Sequence, residues 1–432
     1  MTQTLSRLQW PALFSILLLI ALLVPRSFAF ILLVPGLIYY GIDFIAAGRL
    51  RIPSLSLLFF VVSFCSFAFI SCLFSVDFSN SADRALKLLL LLGLGMLAVT
   101  GYQTTLGEAL RGQKLLVHVC IAVCALTFID IMTGMPLYNM MSDGVKEIKP
   151  HAYNRSTVAL FLLIPPLVCL RFAGQNMTLK TVMRDRAMLA LGLFLAALLV
   201  ITESQGAQFT ALLFVLFLAF PVRSKWAWRA LKLALFAALL TAPLIATYLY
   251  THFVSSDMLQ NIAFFHKGAG DSRLEIWYSV AQKIGENPFG GYGIDSTSQM
   301  TLDSPMHYWN SNNVLHPHNF TLQLWIEFGL MGAFLGGMVL LSILQVIAAT
   351  ENIALRRIML ANFMGWISVA ATGYGLWQSW WIGLSLTLLL LWMSLLTNSG
   401  QEKSAATSDP KTQKTSKNTT KNTAKNTAKK AD

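Results

Sequence analysis

Two histidines and a few arginines in an otherwise apolar chain are the residues whose types and spacing could do chemistry. His316-Pro-His318-Asn319 stands at the mouth of an apolar run that continues for some thirty residues. Imidazole titrates near neutral pH, so a histidine held there can take a proton from a hydroxyl. Three readings of the pattern stay open at this level. His318 could cap loop backbone, could join His307 and His316 on a zinc ion, or could serve as a catalytic base. The zinc reading lacks the usual support, because no helical HxxxH pair or acidic set accompanies the histidines.

Arg273 is the second candidate. In the segment Asp271–Asn287, Leu274, Trp277, Val280, Ala281 and Ile284 recur at helical spacing. Arg273 falls with Trp277, Val280 and Ile284 on the apolar face. Glu275, Ser279, Gln282 and Glu286 fall on the other. Such an arginine either snorkels to lipid headgroups or aims at an anionic ligand. Its planar fork suits phosphate oxygens in pairs. Arg155, at the mouth of another span and beside His151, is read as an interfacial anchor or a second phosphate contact. Arg84 is a third candidate, although its neighbour Asp83 could pair with it.

Arginine plus histidine has a chemical logic. A lipid-linked sugar pyrophosphate is already activated, and its transfer needs cations on the leaving group and a neutral base for the acceptor hydroxyl. Nearby arginines would lower the histidine pKa and keep it neutral. Other chemistries find less support. The chain has no Gly-rich nucleotide loop, no acidic pair in the loop for glycoside hydrolysis, and no acidic cluster for Mg²⁺.

The elements that must position these residues are membrane helices. Of 432 residues, 55% are hydrophobic and 12% charged, about half the charge of a soluble domain. The apolar stretches are long and lack the alternation of a membrane barrel. They predict an all-α, polytopic transmembrane bundle of about 12 spans, at 10–24, 28–45, 54–74, 85–102, 113–132, 156–172, 187–201, 207–221, 230–250, 319–348, 354–372 and 377–397. The five cysteines lie inside apolar spans and read as packing residues. The net charge of +12 comes largely from eight lysines after Gly400 and from short loops, so it reports topology rather than nucleic acid. With the N-terminus in the cytoplasm, 23 of the 32 Lys and Arg residues fall on the cytoplasmic side and nine outside, which favours both termini inside.

The organisation expected is nine spans over 1–250, a large outer loop over 251–318, three spans over 319–398, and a disordered Lys-rich cytoplasmic tail over 399–432. In the loop, Ser272 and Glu275 form a capping-box pattern that starts an amphipathic helix at the membrane surface or over the bundle mouth. Asn287-Pro-Phe-Gly-Gly-Tyr-Gly293 follows as a tight turn or as backbone that approaches a ligand. Gly329 and Gly332, about 16–20 Å below His318 along the next span, should let another helix pack closely.

The run His318-Asn319, nine residues, then Gly329-Leu-Met-Gly332 resembles the motif of bacterial O-antigen ligases and related protein O-oligosaccharyltransferases. Arg273, Trp277 and the stretch from Asn287 to Gly293 are similar to the large periplasmic loop of that family. The resemblance implies an inner-membrane glycosyltransferase with its site on the periplasmic side. It would move O-antigen polysaccharide from undecaprenyl pyrophosphate to a sugar hydroxyl of lipid A–core oligosaccharide. It also implies a single inverting displacement with no metal or other cofactor. Carried onto this chain, His318 would be the base, Arg273 and Arg155 would bind pyrophosphate with Arg84 as an alternative, and Asn319, Tyr292, Trp277, Gly329 and Gly332 would support them. Many members have a Ser-Arg pair before the eighth span where this chain has Thr202-Glu-Ser-Gln205.

The rival enzymes are an O-antigen polymerase and a protein O-oligosaccharyltransferase. A lipid-linked sugar transporter is the rival of another class. The chain shows no clear internal repeat, and its suspicious residues cluster at one surface rather than at the midplane.

Overall fold

A computed structural model describes residues 2–48, 52–53, 55–103, 110, 112–141, 149–175, 177–254, 270–305, 308–309 and 311–408. The described residues form α-helices with short 3-10 turns and one π-helical turn, and no strand occurs among them. The chain is a multi-pass, all-α membrane protein.

In chain order the helices are α1 (Thr2–Leu23), α2 (Phe28–Ala47), α3 (Leu55–Ser71), α4 (Phe78–Gln103), α5 (Leu115–Met132), α6 (Pro136–Met141), α7 (Asn154–Arg171), α8 (Leu179–Arg184), α9 (Arg186–Ile201) and α10 (Gln205–Ala219). There follow α11 (Lys225–Leu240), α12 (Ala242–Leu249), α13 (Gly270–Glu286), α14 (Phe320–Ala349), α15 (Ile353–Thr372) and α16 (Ser379–Ser408). Each of the twelve predicted spans falls on an apolar helix. Seven are long and apolar enough to cross a bilayer unaided, and the bent pair of α11 with α12 and the turn after it makes an eighth. Shorter apolar helices occupy the remaining four places.

Local sequence explains the helix starts. Asp185, Ser204, Ser224 and Asn352 each accept a backbone N–H at the head of α9, α10, α11 and α15. These caps satisfy donors that a helix cannot bond internally. The bundle centre is α7, whose sides are mostly buried, with α15 and α16 beside it. Polar side chains pin these helices together. Asn362 donates to Leu162 O at 2.9 Å and accepts from Trp392 Nε1 at 2.9 Å. In hydrocarbon such bonds supply association that apolar contact alone does not.

Three expectations need correction. First, α13 begins at Gly270, and Ser272 and Glu275 do not cap it. Ser272 Oγ donates to Tyr308 O, while Glu275 accepts the backbone N–H groups of Tyr308 and Trp309 at 2.6 and 3.0 Å. Second, the first half of the supposedly wet face of α13 is covered, while Gln282 and Glu286 stay exposed. Glu275 and Ser279 are 0% and 1% exposed, and Ser304, Tyr308 and Trp309 return to bond Glu275. Third, α14 is not continuous. Gly329 has φ 63 and ψ −157, a conformation only glycine adopts without strain.

The break in α14 has its own partner. Tyr292 N–H and Gly293 N–H donate to Ile326 O and Glu327 O, and Leu330 N–H donates to Pro288 O. A Cβ on Gly329 would stand 2.3 Å from Phe289 O, and one on Gly332 would stand 2.3 Å from Phe328 Cβ. The glycines therefore admit the 288–293 turn and a tight step in α14 itself, not a neighbouring helix. The same contacts answer the question about the Gly-rich turn: its backbone approaches α14. α16 runs to Ser408, and the rest of the predicted tail lies outside the described residues.

Candidate functional site

His318 sits one residue ahead of the α14 N-cap. Asn319 is that cap: its Oδ1 accepts from Thr321 N–H, Leu322 N–H and the Thr321 hydroxyl. Capping the helix is thus Asn319's task, while His318 bonds loop backbone at Gly373 O, as the structural reading of it expects. His318 itself has φ 55, a left-handed conformation uncommon outside glycine. That turn directs the imidazole to the loop between α15 and α16, where Nδ1 lies 2.7 Å from Gly373 O. A carbonyl can only accept, so Nδ1 carries the proton. In the neutral ring Nε2 is then the basic nitrogen.

The surroundings keep that ring neutral. Burial lowers the His318 pKa from its ordinary 6.5 and Arg273 lowers it further, against the bond to Gly373. His316 packs beside it with ring centroids 4.3 Å apart. Burial, His318 and Arg155 bring the His316 pKa down to about 4. Its Nε2 is buried without a partner.

Arg273 and Arg155 face this pair from opposite parts of the chain. Neither makes an ion pair with a carboxylate among the described residues. Arg155 stacks its guanidinium 5.5 Å from the Trp380 ring centroid. Both arginines act on Tyr374, whose hydroxyl burial pushes up to about 12 against their pull. Tyr374 meets Trp380 edge-on at 4.5 Å. Burial lowers the Arg273 pKa, yet an arginine stays charged in a protein. The site therefore joins α13, the head of α7, the His316–Asn319 segment and the 373–380 loop around two cations that no carboxylate among the described residues pairs.

The supporting residues divide by what they touch. Trp277 Nε1 donates to Pro317 O at 2.9 Å and so fixes the residue before His318. Tyr292 belongs to the turn bound into α14, and its hydroxyl bonds to Lys283 O at 3.2 Å, away from the histidines. Gly329 and Gly332 shape α14 as described. Arg84 is elsewhere too: its Nε donates to Asp295 Oδ2 at 2.8 Å. Thr202-Glu-Ser-Gln205 supplies no cation, and Ser204 serves as the cap of α10. His307 lies outside the described residues, and no three His, Cys, Asp or Glu side chains gather among those described.

Two residues escaped the sequence reading. Tyr374 sits in a short connection, and no motif marked it. Glu327 is 0% exposed within α14. It accepts Asp295 N–H at 2.9 Å, Gln323 Nε2 at 2.9 Å and Trp377 Nε1 at 2.5 Å. Gln323 in turn accepts Leu376 N–H at 2.9 Å. Glu327 thus ties α14 and the Asp295 turn to the loop whose Gly373 holds His318. A lone acid in an apolar run was the available signal, since such a group is costly without partners.

A helical membrane protein with two arginines and a neutral histidine gathered at one end of its bundle is the class these observations define. Residues 190–336 match the family described as O-antigen ligase, and this stretch contains Arg273, His318 and the α14 break. A protein of Rickettsia conorii named as a candidate polysaccharide ligase is 26% identical over 77% of this chain and 78% of its own length. One of Rickettsia typhi with the same description is 26% identical over 83% of each chain. A third, of Rickettsia bellii, is 35% identical over 29% of this chain and 31% of its own. No solved structure matches. The match over residues 190–336 and the likeness to these proteins support the O-antigen ligase family.

Proposed function

We propose that the protein transfers O-antigen polysaccharide from undecaprenyl pyrophosphate to a sugar hydroxyl of lipid A–core oligosaccharide, at the periplasmic face of the bacterial inner membrane. The observation that carries this reading is the pairing of a neutral, tautomer-fixed His318 with two arginines that have no acidic partner among the described residues. Arg273 and Arg155 bind the pyrophosphate and stabilise the charge that grows on it as it leaves. His318 Nε2 takes the acceptor's proton as that oxygen attacks the anomeric carbon. The carbon–oxygen bond to phosphate breaks, its electron pair goes to the pyrophosphate, and one displacement inverts the centre. His316 and Tyr374 wall the site beside the base. The donor itself supplies the driving force, so no nucleotide is required.

The test is deletion of the gene followed by complementation, with lipopolysaccharide and carrier-linked polymer both examined. A ligase leaves lipid A–core without O-antigen while long polymer remains on the carrier lipid. Short polymer would point instead to a polymerase, and a carrier-linked unit retained in the cytoplasm to a transporter.

A further inference from the structure

The end of the bundle opposite His318 carries a groove between α11 and α14 that the transfer reaction does not use. It encloses about 600 Å³ and is lined by Arg229, Lys232, Leu233, Phe236, Leu341, Ser342 and Gln345. Its chemistry is graded. On α11, Arg229, Lys232, Leu233 and Phe236 share one face at spacings of three and four residues. Arg229 stands at the rim and Phe236 about 10 Å deeper, with Lys232 and Leu233 between them. On α14, Gln345 meets Lys232, and Leu341 lies deeper.

The deep end is closed by packing. Phe236 lies against Gly337, where a Cβ would come 2.6 Å from its ring, and its edge faces Phe334 with centroids 5.8 Å apart. Above it, Trp325 Nε1 donates to Leu239 O and ties the two helices. The rim is set at a membrane boundary. Arg229 lies 5.0 Å from the centroid of the exposed Trp226 ring, and tryptophan favours that interface. No acid lines the groove, and neither Arg229 nor Lys232 pairs with a carboxylate among the described residues.

We infer that this groove is a binding site for one anionic phospholipid. Its phosphate lies between Arg229 and Lys232, and an acyl chain runs along Leu233, Phe236 and Leu341. A soluble anion would leave the apolar half empty, and a neutral lipid would leave both cations uncompensated. The loop basicity that sets topology explains cations at this end, but not their alignment above an apolar trough.

The test uses the full-length protein in neutral detergent and native mass spectrometry with added phosphatidylglycerol or phosphatidylcholine. Wild type is expected to retain one phosphatidylglycerol and not phosphatidylcholine. Arg229→Gln/Lys232→Gln should weaken that binding about thirtyfold, the effect of two interfacial cations. Lys180→Gln/Arg184→Gln removes equal charge from exposed positions at the same end and should change it less than about threefold. Equal loss in both double variants, equal retention of the two lipids, or displacement of the lipid by inorganic phosphate would overturn the site. Circular dichroism and gel filtration on each variant show that a loss is not unfolding.

Discussion

Two sets of arginines on the site half of the molecule show how one residue type serves two ends. Arg84 has an acid: it bonds to Asp295, whose backbone N–H bonds to Glu327, and Glu327 bonds to Trp377 and Gln323. Burial raises the Asp295 pKa, and Arg84 pulls it back. Arg273 and Arg155 have no acid among the described residues, only aromatic and histidine neighbours. A cation whose counter-charge is built in holds structure. A cation without one is prepared for an anion from outside. On the proposed function, Arg84 belongs to the scaffold and the other two meet the substrate.

Substitutions can break this comparison. The largest effect is expected for His318→Ala, with transfer down about 10²–10⁴-fold, the range of a general base. Arg273→Ala should follow with a loss of about a hundredfold, and Arg273→Lys should restore little, because a lysine cannot form the paired contact. Both are measured by ligation of carrier-linked polymer in proteoliposomes. Glu327→Gln should lower activity about tenfold and lower the thermal midpoint as well, since an amide cannot satisfy every donor that now faces the carboxylate. Arg84→Gln should change stability by about 1 kcal/mol and transfer by less than about threefold, as a part-exposed pair does. Should Arg84→Gln instead disable transfer as fully as Arg273→Ala, the division between scaffold and substrate arginines collapses.

The pH profile sharpens the same point. His318 must be neutral to accept a proton, and its pKa in the site lies below 6.5. The acid limb of kcat/KM should therefore fall below pH 6.5, with activity kept at and above it. Arg273→Gln removes one cause of the lowering, so its residual acid limb should move up toward pH 6.5. An acid limb unchanged in that variant would separate Arg273 from the base.

Helix periodicity alone placed Arg273 on the inner face of α13, and the His-Pro-His-Asn pattern placed an imidazole at a helix mouth. Both are local properties, set within one or two turns. Glu275 was misassigned to a wet face because Ser304, Tyr308 and Trp309 return over it, a contact some thirty residues away. Gly329 and Gly332 were singled out, but their partners were misjudged: Gly329 meets a turn forty residues upstream that supplies hydrogen bonds the broken helix lacks, and Gly332 meets Phe328 of its own helix. Tyr374 had no pattern at all, since its importance arises from packing between arginines contributed by α7 and α13. Positions fixed by periodicity and capping were legible, and those fixed by long-range closure were not.

The most direct test of the central assignment separates donor binding from transfer in purified protein. His318→Ala should bind undecaprenyl pyrophosphate-linked polysaccharide as wild type does and form no ligated product. Arg273→Ala should lose the binding itself. Ligation by His318→Ala at the wild-type rate, or undiminished donor binding by Arg273→Ala, would contradict the account.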